Sequence, residues 1–237
     1  MQRLSYERLT LLAALMMLAP AIVGEIIKAP SLDLNEGVGR WLFVSTVIIV
    51  TASYYFVNFF IARTFQRSGH AGRWPIRIAT VSAIIAIASF VPGSFGFGES
   101  YAKVHEIIGD LGFIGMGFVS AYAIGFDLVK TTVVRAREVW GSIALYLIVG
   151  VSFSYVYGIL AQINPEAFSE FFETGMGSRP DLIYFSFVTQ MSVGFGDIIP
   201  VSQLARNLVI LHGLFGILYP PILIARLVNL RFAGQSD

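Results

Sequence analysis

The sequence predicts an all-α integral membrane protein, and three observations support this fold class. Hydrophobic residues make up 56% of the 237-residue chain and charged residues only 13%, whereas a soluble domain carries about a quarter charged residues. The mean hydropathy is +0.73. The apolar residues also fall into runs long enough to cross ~30 Å of hydrocarbon as helices. Most of the surface is therefore expected to face lipid.

Six apolar runs have the length of a membrane-spanning helix. In chain order they are Leu9–Ile27, Trp41–Ala62, Pro75–Val91, Val104–Val129, Val139–Ala161 and Ala205–Val228. The first run is too long for the core of a signal peptide and lacks a clear cleavage site, so we expect a retained membrane helix. The third is cut short by Pro92 and the glycine-rich stretch that ends at Gly98.

The basic residues near the helix ends predict the orientation, because short cytoplasmic connections are enriched in lysine and arginine. With the N-terminus inside, the cytoplasmic ends carry Arg3, Arg8, Arg63, Arg67, Arg73, Arg77, Lys130, Arg135, Arg137, Arg226 and Arg231. The outer ends carry only Lys28, Arg40, Lys103, Arg179 and Arg206. We therefore expect a multi-pass protein of the plasma membrane with both termini in the cytoplasm. Because the ends are short, we expect no cytoplasmic ligand-binding or nucleotide-binding domain.

The apolar segment Leu182–Phe195 does not fit this scheme as a seventh span. Asp181 and Asp197 bracket it, and it is too short to cross comfortably. A seventh span would also move Arg226 and Arg231 to the outside, against the charge rule. The segment is instead expected to dip into the membrane and return. Irregular backbone survives at membrane depth only where protein buries it or water lines it, so this loop is a candidate functional site.

The first half of the loop predicts a short helix after Pro180, with Asp181 favouring its N-terminus. The second half, Ser192–Asp197, alternates glycine with larger residues. Successive carbonyls can replace the water around a cation only if alternate residues take unusual backbone angles, and glycine takes positive φ without steric cost. Gly194 and Gly196 occupy these positions, and the Ser192 hydroxyl adds an oxygen at the inner end.

At these residues the sequence resembles the potassium-channel superfamily. Tyr184-Phe-Ser-Phe-Val-Thr189 is similar to the pore helix of that family, and Ser192-Val-Gly-Phe-Gly-Asp197 is similar to its Thr-Val-Gly-Tyr-Gly-Asp filter. The resemblance covers Val139–Val228. Ser192 replaces the usual threonine, Met191 stands where a small polar residue is common, and Phe195 lacks the hydroxyl that would bond to the pore helix.

The resemblance implies a potassium-selective channel subunit that conducts K⁺ passively and catalyses no reaction. It implies K⁺ sites at Ser192, Val193, Gly194 and Phe195, with Gly196 and Asp197 completing the filter and Tyr184 and Thr189 in the pore helix. Because one chain supplies one wall, a homotetramer with three further copies is expected. The only expected partners besides these copies are membrane lipids, and the only cofactors are the K⁺ ions. A net charge of +1 gives no footprint for nucleic acid.

The six-helix arrangement divides the chain into a peripheral membrane domain, residues 1–138, and a pore domain, residues 139–237. The last helix contains breaks at which relatives of the resembled family hinge, and we interpret these as a hinge and gate. They are Gly213, Gly216, Pro220 and Pro221, followed by the apolar Ile224. Close helix packing at the glycines is the alternative.

The fourth run contains no lysine or arginine, which predicts weak voltage dependence or none. Its ionisable residues are His105, Glu106, Asp110 and Asp127, of which only Asp110 is expected well inside the membrane. His105, Glu106 and Asp110 match no strong metal motif, and a solvated outer helix end, with Glu25 nearby, is the interpretation that we favour. Three alternatives to a potassium channel stay open. They are a non-conducting auxiliary or scaffold subunit, a non-selective cation channel, and a membrane enzyme, for which the clustered ionisable residues are lacking.

Overall fold

A computed structural model describes residues 77, 81, 99–130, 136–169 and 179–233 of the chain. Three long α-helices dominate this part: α1 (Glu99–Lys130), α2 (Ala136–Ile163) and α4 (Gln203–Ala233). A short helix, α3 (Arg179–Gln190), lies between α2 and α4 in the chain. A single 3-10 turn, Pro165–Ala167, follows α2. Arg77 and Val81 are also helical. The first three predicted spans otherwise lie outside the described residues.

Each long helix contains a stretch that is apolar and long enough to cross a membrane. The stretches are Ile107–Lys130, Val139–Ile163 and Gln203–Arg226. They correspond to the fourth, fifth and sixth predicted runs, and the helices extend past the runs at both ends. This extension is expected, because hydropathy marks only the part of a helix within hydrocarbon, whereas backbone hydrogen bonding continues into the polar region.

Helices α1 and α2 pack along most of their length around a continuous apolar core. Its fully or nearly buried members are Met116, Val119, Ile124, Ala144, Leu145, Ile148 and Val151. Gly117 allows the close approach, because a Cβ atom there would overlap the Ser152 side chain. Phe113 and Tyr155 stack in parallel with their ring centroids 4.5 Å apart. Small residues and stacked rings of this kind hold helices together where hydrophobic burial alone gives little driving force.

Asp110 departs from its predicted environment. Only 3% of its surface is exposed, and Gln162 Nε2 donates to its Oδ2 over 3.4 Å. The predicted solvated helix end was wrong for this residue, because the C-terminal part of α2 packs over α1 and covers the carboxylate. The side chains of His105 and Glu106, and all of Glu25, lie outside the described part of the chain.

Helix α3 runs antiparallel to α2, from its C-terminal end towards its middle. At its start, Leu182 and Phe185 pack with Tyr157, Leu160 and Phe168 in a second apolar core. Further along, Ser186 Oγ donates to the Gly150 carbonyl at 2.5 Å. Gly150 also lets α3 approach closely, because a Cβ atom there would lie 2.8 Å from both the Phe187 ring and Gln190 Oε1. Twelve residues are too few to span a bilayer, so α3 ends part of the way along its neighbours.

Candidate ion-conduction site

The chain leaves α3 through a hydrogen-bonded cap. Val193 N donates to the Val188 carbonyl and Ser192 N to the Thr189 carbonyl, both over 3.0 Å. These two bonds form a Schellman motif, in which the residue after the helix takes a left-handed conformation. That residue is Ser192, with φ of 57°. Glycine usually fills this position because it has no Cβ, so a serine here carries backbone strain.

Positive φ recurs at every second residue of the segment that follows. Gly194 has φ of 58° and Gly196 has φ of 81°, and Ser192 is the only non-glycine residue with positive φ in the described chain. Val193 and Phe195 lie between them. The positive φ expected at the two glycines is therefore present, and it extends back to Ser192. This alternation is the backbone pattern that a row of cation-binding carbonyls requires.

The chain just beyond the segment is bonded to the residues that follow α2. Ser169 N donates to the Ile199 carbonyl over 2.9 Å and Val201 N to the Ala167 carbonyl over 2.8 Å. Helix α4 then begins after Ser202, whose Oγ accepts from Ala205 N over 3.2 Å in an N-cap. The path 179–202 thus starts and finishes near the C-terminal end of α2, and both ends of the segment are fixed.

Tyr184 contacts the segment from α3 in two ways. Its ring stacks in parallel on Phe195, with the centroids 6.4 Å apart. Its hydroxyl bonds to the Asp197 carboxylate and holds the pKa of that carboxyl below its usual value. The backbone N–H of Ile198, 3.0 Å from Oδ1, also lowers this pKa, against an opposing effect of desolvation. The same bond raises the pKa of Tyr184. Phe195 has no hydroxyl with which to bond α3. Tyr184 of α3 has one, and it bonds to Asp197 instead.

Residues 191–197 are all exposed in the single chain, including 69% of the Phe195 surface. Phe195 contacts α3 through the ring of Tyr184, and Val193 is about half exposed. Helix α4 also exposes apolar side chains along one face, namely those of Ile210, Leu211, Leu214, Ile217 and Leu218.

A buried polar cluster lies at the last residue of α3, next to the start of the segment. The sequence did not predict this cluster. Gln190, the last residue of α3, donates from Nε2 to the Tyr146 carbonyl over 2.8 Å. Its Oε1 lies 2.9 Å from His212 Nε2, and His212 Nδ1 lies 3.0 Å from the Tyr157 hydroxyl. Gln190, His212 and Tyr157 have no exposed surface. The sequence feature that could have predicted this cluster is a histidine, an ionisable residue, in the middle of the last apolar run.

The residues predicted as hinge and gate all lie on α4, but they have different surroundings. Gly216 packs against the backbone of Gln190, where a Cβ atom would overlap the carbonyl oxygen, whereas Gly213 has open space. The helix continues through Pro220 and Pro221. Ile224 is exposed, about 12 Å along the axis from Gly216 at 1.5 Å per residue. The hinge and the gate both stay predictions.

Comparison with known proteins agrees with this geometry. A protein-family model described as ion channel matches residues 141–232, which is less than half of the chain. The match includes most of α2, all of α3 and its following segment, and nearly all of α4. No curated protein and no solved structure gives a significant match. Residues 141–232 are therefore similar to an ion-channel domain, and together with the apolar helices this similarity indicates a membrane protein with a role in ion transport.

Proposed function

We propose that this ion-channel domain is one quarter of a potassium-selective pore, with Ser192–Asp197 as its ion filter. K⁺ ions would bind the carbonyl oxygens of Ser192, Val193, Gly194 and Phe195. The observation that carries the proposal is the alternation of positive φ at Ser192, Gly194 and Gly196. A β-strand would instead direct successive carbonyls to opposite sides.

The second support is the way in which the segment is held. Its first residues are capped onto α3, and residues 199–202, just beyond its other end, are bonded to residues 167–169. An ion filter needs this restraint, because its oxygens must keep their spacing when an ion exchanges water for carbonyls. Asp197 at the outer end keeps its negative charge to a lower pH than a free aspartate, which favours cations at the mouth.

Four copies would complete the site. A single chain offers one row of carbonyls, and its irregular segment leaves apolar side chains exposed next to an exposed apolar face of α4. Irregular backbone at membrane depth needs protein around it. A ring of four chains would cover Val193 and Phe195 between subunits and close the row into a pore. Residues 139–237 would form this pore, and residues 1–138 would surround it as four peripheral helices, with both termini in the cytoplasm.

The movable gate is placed at the cytoplasmic end of α4. Pro220 and Pro221 have no backbone N–H, so the carbonyls of Gly216 and Ile217 lack their usual helical donors and the helix bends there at low cost. Ile224 follows within about one turn. Four copies of this side chain would close a narrow path by dewetting it.

Cysteine substitution tests the gate, because the sequence contains no cysteine. At Leu223→Cys or Ile224→Cys, a cytoplasmic thiol reagent should block open channels much faster than closed ones. Cysteine at Leu214, above the prolines, provides the comparison. Equal rates in both states at Leu214 would mean that no lower gate exists and that the filter itself opens and closes.

The test of the function is a flux assay on the purified full chain in lipid vesicles. With potassium on one side and sodium on the other, the reversal potential should shift strongly towards the potassium equilibrium value. Native mass measurement in detergent should give four copies. A reversal potential near zero would indicate a non-selective cation channel. A folded tetramer without flux would indicate an auxiliary subunit, and a monomer or dimer that conducts selectively would refute the ring.

A further inference from the structure

We propose that His212 is a positioning residue for the ion filter, which it acts on through Gln190. This inference rests on the proposed function, since it assigns a role in ion selectivity. His212 lies on α4 and touches no residue of the Ser192–Asp197 segment in the contacts described above. Its effect would pass through the last turn of α3, from which the filter starts.

The hydrogen-bonding pattern determines how His212 acts. Gln190 Nε2 faces the Tyr146 carbonyl at 2.8 Å, and a carbonyl only accepts. The amide must therefore present Oε1, which also only accepts, to His212 Nε2 at 2.9 Å. The imidazole consequently carries a proton on Nε2. In the neutral ring Nδ1 then accepts from the Tyr157 hydroxyl over 3.0 Å.

The imidazole is also held in place by packing. The Phe153 ring lies parallel to it, with the centroids 3.9 Å apart and an angle of 3° between the planes. His212, Gln190 and Tyr157 are all fully buried. A buried polar group must find a partner inside the protein, so each of these bonds is costly to lose. Together they join α2, α3 and α4 at one point.

The place where these three helices meet adjoins the residues from which the filter starts. Gln190 is the last residue of α3, and the bonds that set the left-handed conformation of Ser192 end on the carbonyls of Val188 and Thr189 in the same turn. The Gln190 carbonyl itself rests against Gly216 of α4 and accepts from the Tyr146 hydroxyl over 3.3 Å. A displacement of this turn would therefore move Ser192, the innermost proposed K⁺ ligand.

A set of matched variants separates positioning from general packing. His212→Phe keeps a ring against Phe153 but removes both nitrogens, and His212→Gln keeps an N–H donor for Gln190. The control is Tyr219→Phe, which removes another α4-to-α2 hydrogen bond, 2.9 Å long, that ends on the Ser142 carbonyl and does not reach α3. Each full-length variant is purified, tested for tetramer formation and reconstituted in vesicles.

The readout is the permeability ratio of K⁺ to Na⁺ from bi-ionic reversal potentials. We expect His212→Phe to lower this ratio about tenfold, His212→Gln to restore most of it, and Tyr219→Phe to leave it unchanged. If His212→Phe does not assemble, Tyr157→Phe gives a milder test, because it removes only the donor to Nδ1. About a threefold fall is expected for that variant.

Two results would overturn the inference while leaving the proposed function intact. One is an assembled His212→Phe or Tyr157→Phe channel with the wild-type permeability ratio. The other is an equal fall in the ratio for His212→Phe, His212→Gln and Tyr219→Phe, which would indicate a packing role. A wild-type protein that does not distinguish K⁺ from Na⁺ would overturn the proposed function and this inference together.

Discussion

Three residues of the proposed filter take a conformation that L-amino acids avoid, and only two of them are glycines. At Gly194 no atom lies within 4 Å of where a Cβ would be, so space is not the reason for glycine there. The reason is the φ of 58°. Ser192 adopts nearly the same φ although it has a side chain, and the two bonds of the cap to α3 hold it in this conformation.

Replacing Gly194 with alanine tests the need for a left-handed backbone at that position. The substitution should cost about 1–2 kcal/mol in each copy through φ alone, and selective conduction should be lost. Gly125→Ala is the matched control, because a Cβ at that helical position would meet only Leu145 at an ordinary 3.8 Å. The measurement is the bi-ionic reversal potential. Selective current through the Gly194→Ala channel would show that the carbonyl row does not depend on this angle.

The bond between Tyr184 and Asp197 predicts a pH dependence of conduction. Because the hydroxyl lowers the pKa of Asp197, the carboxylate keeps its charge as the outer pH falls, and it loses the charge only below the usual range. Tyr184→Phe keeps the stack on Phe195 but removes the hydroxyl, so the pKa should rise towards its ordinary value. Single-channel conductance should then begin to fall at a higher outer pH than in the wild type.

Asp197→Asn provides the control for this experiment, because it removes the titrating group. Its conductance should be lower at neutral pH and should not vary across the same acidic range. Superimposed pH curves for the wild type and Tyr184→Phe would show that the hydroxyl does not influence the charge at the mouth.

Two glycines of α4, about one turn apart, have different surroundings. Gly216 is in contact with the backbone of α3, whereas Gly213 faces open space. The contact at Gly216 supports close packing there, which was the alternative to a hinge. Among the described residues, no atom lies within 4 Å of a Cβ placed at Gly213, which retains the hinge interpretation.

Two alanine substitutions should therefore have opposite effects on stability. Gly216→Ala forces α4 away from Gln190 and should destabilise the fold by about 1–3 kcal/mol, as overpacking does. Gly213→Ala meets no obstacle and should stabilise the helix by about 0.5–1 kcal/mol. Thermal unfolding of the detergent-solubilised protein measures both. Similar shifts for the two variants would contradict the close contact at Gly216.

The helices and the filter were predictable from the sequence to different extents. Hydropathy predicted three of the described helices, because a membrane-spanning helix is a continuous apolar stretch of the sequence. The glycine alternation predicted two of the three residues with positive φ, and Ser192 is the third. No pattern in the sequence predicted the Gln190–His212 cluster, because its members come from α2, α3 and α4 and meet only when these helices pack. Asp110 was misjudged for the same reason, because its cover is Gln162 of the next helix.

For the whole molecule, the distribution of charge predicts the response to voltage. One elementary charge moved across 100 mV is worth about 2.3 kcal/mol, so steep gating needs several mobile charges in each subunit. Helix α1 has no lysine or arginine between Lys103 and Lys130. Conductance should therefore change only gradually with voltage in planar-bilayer recordings. A steep conductance–voltage curve would place a sensor elsewhere in the chain.

Within its own chain, the filter segment is held by α3 on one side and, through residues 199–201, by residues 167–169 on the other. These bonds need no second subunit, so a change at a filter residue should leave the subunit able to join a ring. A chain with a damaged filter would enter rings as readily as an intact one. In a cell that makes both forms in equal amounts, most rings would include at least one faulty strand. Filter mutations in this gene should therefore be dominant, whereas mutations that unfold the subunit should be recessive.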